Sequence, residues 1–413
     1  MKKIVCILLI AVLVLSLSAF LFGCGSGPRD EVLKLYMPGE YIDEEIFGLF
    51  EEWYEQETGK KVKVTIETFD TVEQIQLAVE GSQSDYDLLC PSDYMVEYLV
   101  NHNLVQKVDK TILDVTTEGL FLEEYLNAAR QYDKTLEYSV PYMYGTLGLV
   151  YDITKTGKKI TSWDSFFGDE FKGHRSLKDS VRDAYAAACI YNAREELMKV
   201  SGSVKKALIQ TIFEKSDAST VEAAKQTLLK IKAKGDKWDV DDVKFKMAAN
   251  AQDAPTIALM WSCDAGYVMN TYEDANGVDR DGNRNLWYVV PEEGGNVYID
   301  NFVINKYAGN VTAANYFLKF LCRKDIALKN CEYAGCVSPL TEVYNELYAY
   351  YTEDEDGMFA DKPENYTEEQ WEDWKAMFIE TMFPSEETLN RCGVMRDLKA
   401  GNTAVIDMYS DIQ

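Results

Sequence analysis

The sequence predicts an α/β protein built as two lobes, and three observations carry that expectation. From Val32 the apolar segments follow a strand, helix, strand, helix, strand order. A second series of strand signals begins near Gly145 and runs to Val290. The 413 residues, 47% of them hydrophobic, are folded in composition and too many for one ordinary core. Repeated βαβ units of this spacing need a parallel sheet with helices on both faces, and in such sheets ligands sit beyond the carboxyl ends of the strands.

The amino end reads as a leader. Lys2 and Lys3 precede an uncharged run from Ile4 to Phe22 that reaches Leu21-Phe22-Gly23-Cys24. A basic start, an apolar stretch and a small residue before the cut make a signal peptide over residues 1–23, with a lipobox that leaves Cys24 as the lipidated first residue. The run is also long enough to span a bilayer. However, Gly25-Ser26-Gly27-Pro28 fits a flexible tether over residues 24–31 better than a continuing helix. Two or more acyl chains would hold such a protein stably at a membrane. The remainder is expected outside the cytoplasm.

Val32 to Met37 is predicted as a strand. The next segment places Ile46, Phe47, Leu49, Phe50, Trp53 and Tyr54 on a broad apolar helical face that Gly59 stops. Val62, Val64 and Ile66 alternate as a strand. A helix over residues 72–79 leads to a buried strand, Tyr86 to Cys90, ending at Pro91-Ser92-Asp93. The loops at Pro38 to Tyr41 and Ser92 to Tyr94 therefore stand at strand ends, where a pocket belongs. Further on come a strand at Leu147 to Tyr151, a long amphipathic pattern from Val204 to Lys234, a strand at Ile257 to Trp261 and another at Trp287 to Val290. Asn276-Gly277 and Asp281-Gly282 mark turns. Residues 279–285 lack the glycine placement and the final Glu of a calcium loop, so a plain turn is expected there. The Glu353-Asp354-Glu355-Asp356 run reads as a solvated loop.

A net charge of -27 speaks against nucleic-acid binding, which needs Lys and Arg to neutralise phosphates. A cationic ligand suits the balance, although acidity also serves simple solubility. Of nine cysteines, Cys6 lies in the leader and Cys24 at the lipid site, which leaves an odd number for the folded part. Cys322, Cys331 and Cys336 form no C-x-x-C pair, and His102 and His174 are the only histidines, so buried free thiols are expected rather than a metal site. No nucleophile elbow, phosphate loop, dinucleotide fingerprint or zinc-protease motif is present. Two carboxylates suitably spaced would suffice for a glycoside hydrolase. A receptor for a cation needs carboxylates too, because a buried ammonium is tolerated only when paired.

From Leu35-Tyr36-Met37-Pro38-Gly39-Glu40-Tyr41-Ile42 the chain resembles the spermidine/putrescine-binding receptors of ABC importers. The likeness continues through Tyr86-Asp87-Leu88-Leu89-Cys90-Pro91-Ser92-Asp93-Tyr94 and Ser139-Val140-Pro141-Tyr142-Met143-Tyr144-Gly145. Ser162-Trp163, Phe171-Lys172-Gly173, Met260-Trp261, Pro291-Glu292-Glu293-Gly294-Gly295 and Tyr298-Ile299-Asp300-Asn301 follow in order. The resemblance implies a type 2 periplasmic-binding-protein fold, with lobes over 32–139 plus 299–343 and 140–298 plus 344–413, hinged on crossover strands near Val140 and Tyr298. It implies that Tyr41, Ser92 and Tyr94 line the pocket, with Glu40 or Asp93 available for an amine. Asp183, Trp261, Asp264, Tyr298 and Asp300 complete the implied set. Each also has a plainer role: Trp261 as core, Tyr41 and Tyr94 as half-buried surface, Asp93, Asp179 or Asp183 at helix starts. Pro38, Cys336 and Met395 depart from the family pattern, which bears on which ligand is held.

The expectation is thus a monomeric, lipid-anchored receptor without cofactor or metal that passes a polyamine to an ABC permease. Putrescine is favoured over spermidine, because Glu40 and Asp264 stand where putrescine-selective members carry acids and Ser180 replaces an acid of spermidine binders. A sugar receptor and a secreted glycoside hydrolase are the alternatives.

Overall fold

The structure is a computed structural model that describes residues 29–413 except 234, 240–241, 271, 274–277, 354–358, 360–361 and 365. The leader, Cys24, the Asn276-Gly277 turn and acidic residues 354–356 lie outside the described residues. Among the described residues no helix is long and apolar enough to cross a membrane.

The strands are β1 (Val32–Pro38), β2 (Lys63–Phe69), β3 (Leu88–Leu89), β4 (Val105–Gln106), β5 (Ser139–Asp152), β6 (Arg175–Lys178), β7 (Lys237–Asp239), β8 (Ile257–Trp261), β9 (Tyr272–Glu273), β10 (Asp279–Arg280), β11 (Leu286–Val289), β12 (Gly295–Asn305) and β13 (Cys392–Gly393). One sheet runs β2-β1-β3-β12-β5-β8-β6-β7, with β11 on β5 and both β13 and β4 on β12. Pairings of β1 with β2 and β3, and of β6 with β7 and β8, are parallel, as the βαβ spacing predicts. The two halves are joined by antiparallel pairing of the long strands β5 and β12, over residues 139–147 and 296–303. β12 continues onto β3, and β5 onto β8. Every residue of β5 is buried, so this strand packs on both faces and needs no polar alternation.

Local chemistry explains where the elements depart from the expectations. β1 alternates as a half-buried strand should, with Leu33, Leu35 and Met37 fully covered. The helix Glu45–Thr58 buries Ile46, Phe47, Phe50 and Tyr54 but leaves Leu49 exposed, so its apolar face is narrower than the sequence implied. Gly59 ends it in the left-handed region (φ 71°), its amide donating to the Glu55 carbonyl. The segment over 72–79 is a short α-turn, Glu73–Gln76, running into a π-turn, Leu77–Gly81. The strand expected at Tyr86 to Cys90 pairs only at Leu88–Leu89. The amphipathic stretch from Val204 is two helices, Gly202–Phe213 and Ala218–Ala233. Asp217 starts the second by accepting from the Ser219 and Thr220 amides at 3.1 Å each.

Candidate ligand-binding cleft

The ends of β1 and β3 and the bulge in β12 build one wall. β12 runs in register against β5 until the pairing slips between Asp300 and Asn301. A bulge of this kind re-aims a side chain. Asp300 Oδ2 accepts from the Tyr41 hydroxyl at 2.8 Å and Oδ1 from the Ser92 hydroxyl at 2.5 Å. Ser92 is the N-cap residue of the helix Asp93–Asn101 and has the extended backbone of a cap, yet its side chain makes no cap hydrogen bond. Its hydroxyl proton goes to Asp300 instead. Asp93 is the first helical residue and only 1% exposed. One of its oxygens accepts from the Tyr94 amide at 2.7 Å, while Oδ2 is buried without a hydrogen-bond partner. Burial drives the Asp93 carboxyl well above the usual carboxylate range, and the charge of Asp300 pushes the same way against the pull of the Tyr94 amide and Arg182. Burial raises Asp300 as well, opposed by the hydrogen bonds from Ser92 and Tyr41.

The facing wall comes from the ends of β6 and β8. Their parallel register, Ser176 against Ala258, brings Lys178 and Trp261 to the same sheet edge. The Lys178 ammonium stands 3.6 Å from the centre of the Trp261 indole. Trp261 in turn leans on Tyr298, ring centres 5.9 Å apart. The Tyr298 hydroxyl donates to Cys263 Sγ at 3.2 Å. Gly145 on β5 makes room for this tyrosine: a Cβ there would strike the Tyr298 hydroxyl and come within 2.7 Å of Ser262 Oγ. After β6 the helix Val181–Asn192 begins at Ser180, whose hydroxyl accepts from the Asp183 amide. Its Arg182 guanidinium lies 4.3 Å from the centre of the Tyr94 ring, and the Tyr94 hydroxyl donates to Glu73 at 3.1 Å. Burial raises the Tyr94 hydroxyl first, with the charges of Glu73 and Asp183 adding to it.

The two sides also meet at a second contact. Arg396, just beyond β13, binds Glu97 of the Asp93–Asn101 helix with two bonds, 2.8 and 2.6 Å, and the Asp397 amide donates to the same carboxylate at 2.9 Å.

The structure therefore brings Tyr41, Ser92, Asp93 and Asp300 into one cluster, joins Trp261 to Tyr298, and sets Asp183 within electrostatic reach of Tyr94. Two of the implied acids stand apart. Glu40 is exposed on the turn before Tyr41, at φ 53°. Asp264 is paired with Lys244 at 2.8 Å, with 14% of its side chain exposed. Asp179 accepts from the Tyr409 hydroxyl at 2.7 Å and from Gln413 at 2.5 Å. Sequence reasoning missed Lys178, Arg182 and Lys244. The first two stand beside the acids Asp179 and Asp183, which drew the sequence argument instead. Cys90, Cys189, Cys263, Cys331, Cys336 and Cys392 are buried free thiols and Cys322 is partly exposed. Among the described residues no cluster of three or more His, Cys, Asp or Glu is arranged to hold a metal.

Two half-sheets tied by crossing strands, with polar and aromatic groups converging from both, define the fold of the type 2 periplasmic-binding class. Residues 52–365 match the bacterial extracellular solute-binding protein family, and the chain belongs to it. It is 28% identical over 313 residues to the spermidine/putrescine-binding periplasmic protein of Salmonella typhimurium, covering 75% of this chain and 78% of that one. A solved structure from Listeria monocytogenes named for spermidine/putrescine ABC transport superposes with TM-score 0.68 at 24% identity, over 92% of this chain and 98% of the other. The spermidine/putrescine ABC transporter substrate-binding protein of Streptococcus pneumoniae superposes with TM-score 0.62 at 24% identity, over 92% and 98%. At that identity the superpositions speak to the fold.

Proposed function

We propose that this chain captures a polyamine between the two walls and hands it to the permease of an ABC importer, with no covalent step. The observation that carries the reading is Asp93, a buried carboxylate beside Asp300 with one oxygen left unpartnered. A buried acid in that state is stabilised by an arriving cation, and the donors on Asp300 are neutral hydroxyls that leave its charge uncompensated. Tyr41, Tyr94, Tyr298 and Trp261 supply apolar cover and cation-π attraction for an alkyl-ammonium. Asp183 is the acid we assign to the facing wall. Names carried by relatives, such as that of the Salmonella protein, support the same ligand class.

Within this reading the two lobes are 32–139 with 299–343 and 140–298 with 344–413, closing about β5 and β12, and the receptor works as a monomer. Putrescine is preferred to spermidine. In support, Ser180 serves the helix start and Asp179 is engaged by Tyr409 and Gln413, so neither offers a carboxylate to a third amine. Asp264, engaged by Lys244, and exposed Glu40 enter only if ligand draws them in. Competition calorimetry tests the preference: spermidine bound tenfold tighter than putrescine, about 1.4 kcal/mol, overturns it. A thermal shift with sugars and none with amines would remove the amine reading, and sustained turnover of a glycoside would restore the hydrolase. Cys24 is the proposed lipid anchor. Cys24→Ser should give an unprocessed precursor without lipid, and lipid found on that variant would refute the anchor.

A further inference from the structure

We infer that Lys178 is a tethered cation that holds the place of the ligand's second ammonium on Trp261 and is displaced when a polyamine binds. The inference rests on the polyamine reading above and concerns how the same site selects among amines.

Lys178 is only 7% exposed, which is unusual for a lysine. Its ammonium stands 3.6 Å from the Trp261 ring centre, well inside the roughly 6 Å reach of a cation-π contact. The chain of contacts runs on from Trp261 to Tyr298, and Asp300 lies two residues along β12, at the bulge. An alkyl-ammonium anchored at Asp93 and Asp300 thus extends past Tyr298 toward the indole face that Lys178 already covers. One face cannot seat two ammonium groups at contact distance, because like charges this close repel. The β6 backbone fixes where the lysine starts, but its four-carbon stem is flexible, so the head group can leave without moving the strand.

A receptor built this way weakens its own grip on any ligand long enough to reach Trp261 and leaves a short monoamine untouched. Lys178→Met keeps the stem and removes the charge. Calorimetry on the wild type and this variant should show putrescine and spermidine binding about tenfold tighter to the variant, with n-butylamine unchanged. Lys178→Gln gives the same comparison if the first variant does not fold. Polyamine binding that is unchanged or weaker in the neutral variants overturns the inference while leaving the receptor reading intact. So does 4-aminobutyrate binding tighter than putrescine to the wild type and lost in the variant, since Lys178 would then be a carboxylate anchor. If neither protein binds any amine, the receptor reading fails and takes this inference with it.

Discussion

The two walls of the cleft hold their charges in opposite ways. At the ends of β1 and β3, Asp93 and Asp300 lie among neutral donors: the Tyr94 amide and the hydroxyls of Tyr41 and Ser92. At the ends of β6 and β8, Trp261 is covered by Lys178 and Asp264 is paired with Lys244. The first wall is deficient in positive charge and is shaped before any ligand arrives. The second wall already contains cations of the protein. On the proposed reading, affinity would come from the first wall and discrimination from the second, through what a ligand must push aside. Burial alone does not separate them, since both walls are largely covered.

The largest expected effect tests the first wall. Asp300→Asn should preserve the fold and weaken amine binding by about a hundredfold to a few thousandfold, on the order of 3–5 kcal/mol, because the ligand's charge is left buried without its partner. Calorimetry with nearly unchanged affinity would take Asp300 out of the site. A smaller effect separates charged from protonated states. Burial raises the Asp93 carboxyl, so the free protein keeps a proton at a pH where an ordinary aspartate has lost it. Ammonium binding favours the carboxylate and should expel that proton, so affinity rises with pH until Asp93 is ionised in the free protein. Calorimetry in two buffers of different ionisation enthalpy reads the proton release, and Asp93→Asn should diminish it. A flat pH profile with no proton exchanged would place the amine elsewhere. The smallest effect concerns the second contact between the walls. Glu97→Gln removes the charge that Arg396 grips with two bonds and should weaken binding about fivefold, near 1 kcal/mol, with a more open particle in X-ray scattering. Scattering and affinity identical to wild type would show that this pair does not help to close the cleft.

Much of this was legible in the sequence where periodicity reports burial. β1 follows from alternation, the helix Glu45–Thr58 from the 3.6-residue repeat and β8 from a short continuous apolar run, and Gly59 marks its helix end as a left-handed cap should. The resemblance singled out Tyr41, Ser92, Trp261 and Asp300 as candidates from ordered motifs; the first three stand at or just past strand ends, Asp300 at the bulge within β12. What stayed hidden is where a side chain acts against its usual role. Lys178 at a strand end reads as a solvated charge, and nothing local says that parallel register with β8 lays it on an indole. Leu49 counts as apolar in any pattern, yet it lies just outside the buried arc. The break between the helices Gly202–Phe213 and Ala218–Ala233 was readable in Asp217-Ala218-Ser219-Thr220, a helix-start pattern that the continuous amphipathic repeat masked.

Ser92 stands between a helix start and a buried acid. Its hydroxyl serves Asp300 while the helix behind it begins without a side-chain cap. Such a cap is ordinarily worth about 0.5–2 kcal/mol. Holding a buried carboxylate with a raised pKa adds to the same deficit near neutrality. Replacing Asp300 by an apolar residue would release Ser92 to its own helix and remove the buried acid together, a route toward greater thermal robustness. If Asp300 holds the ligand as proposed, capture and durability of the scaffold pull on the same oxygen atom.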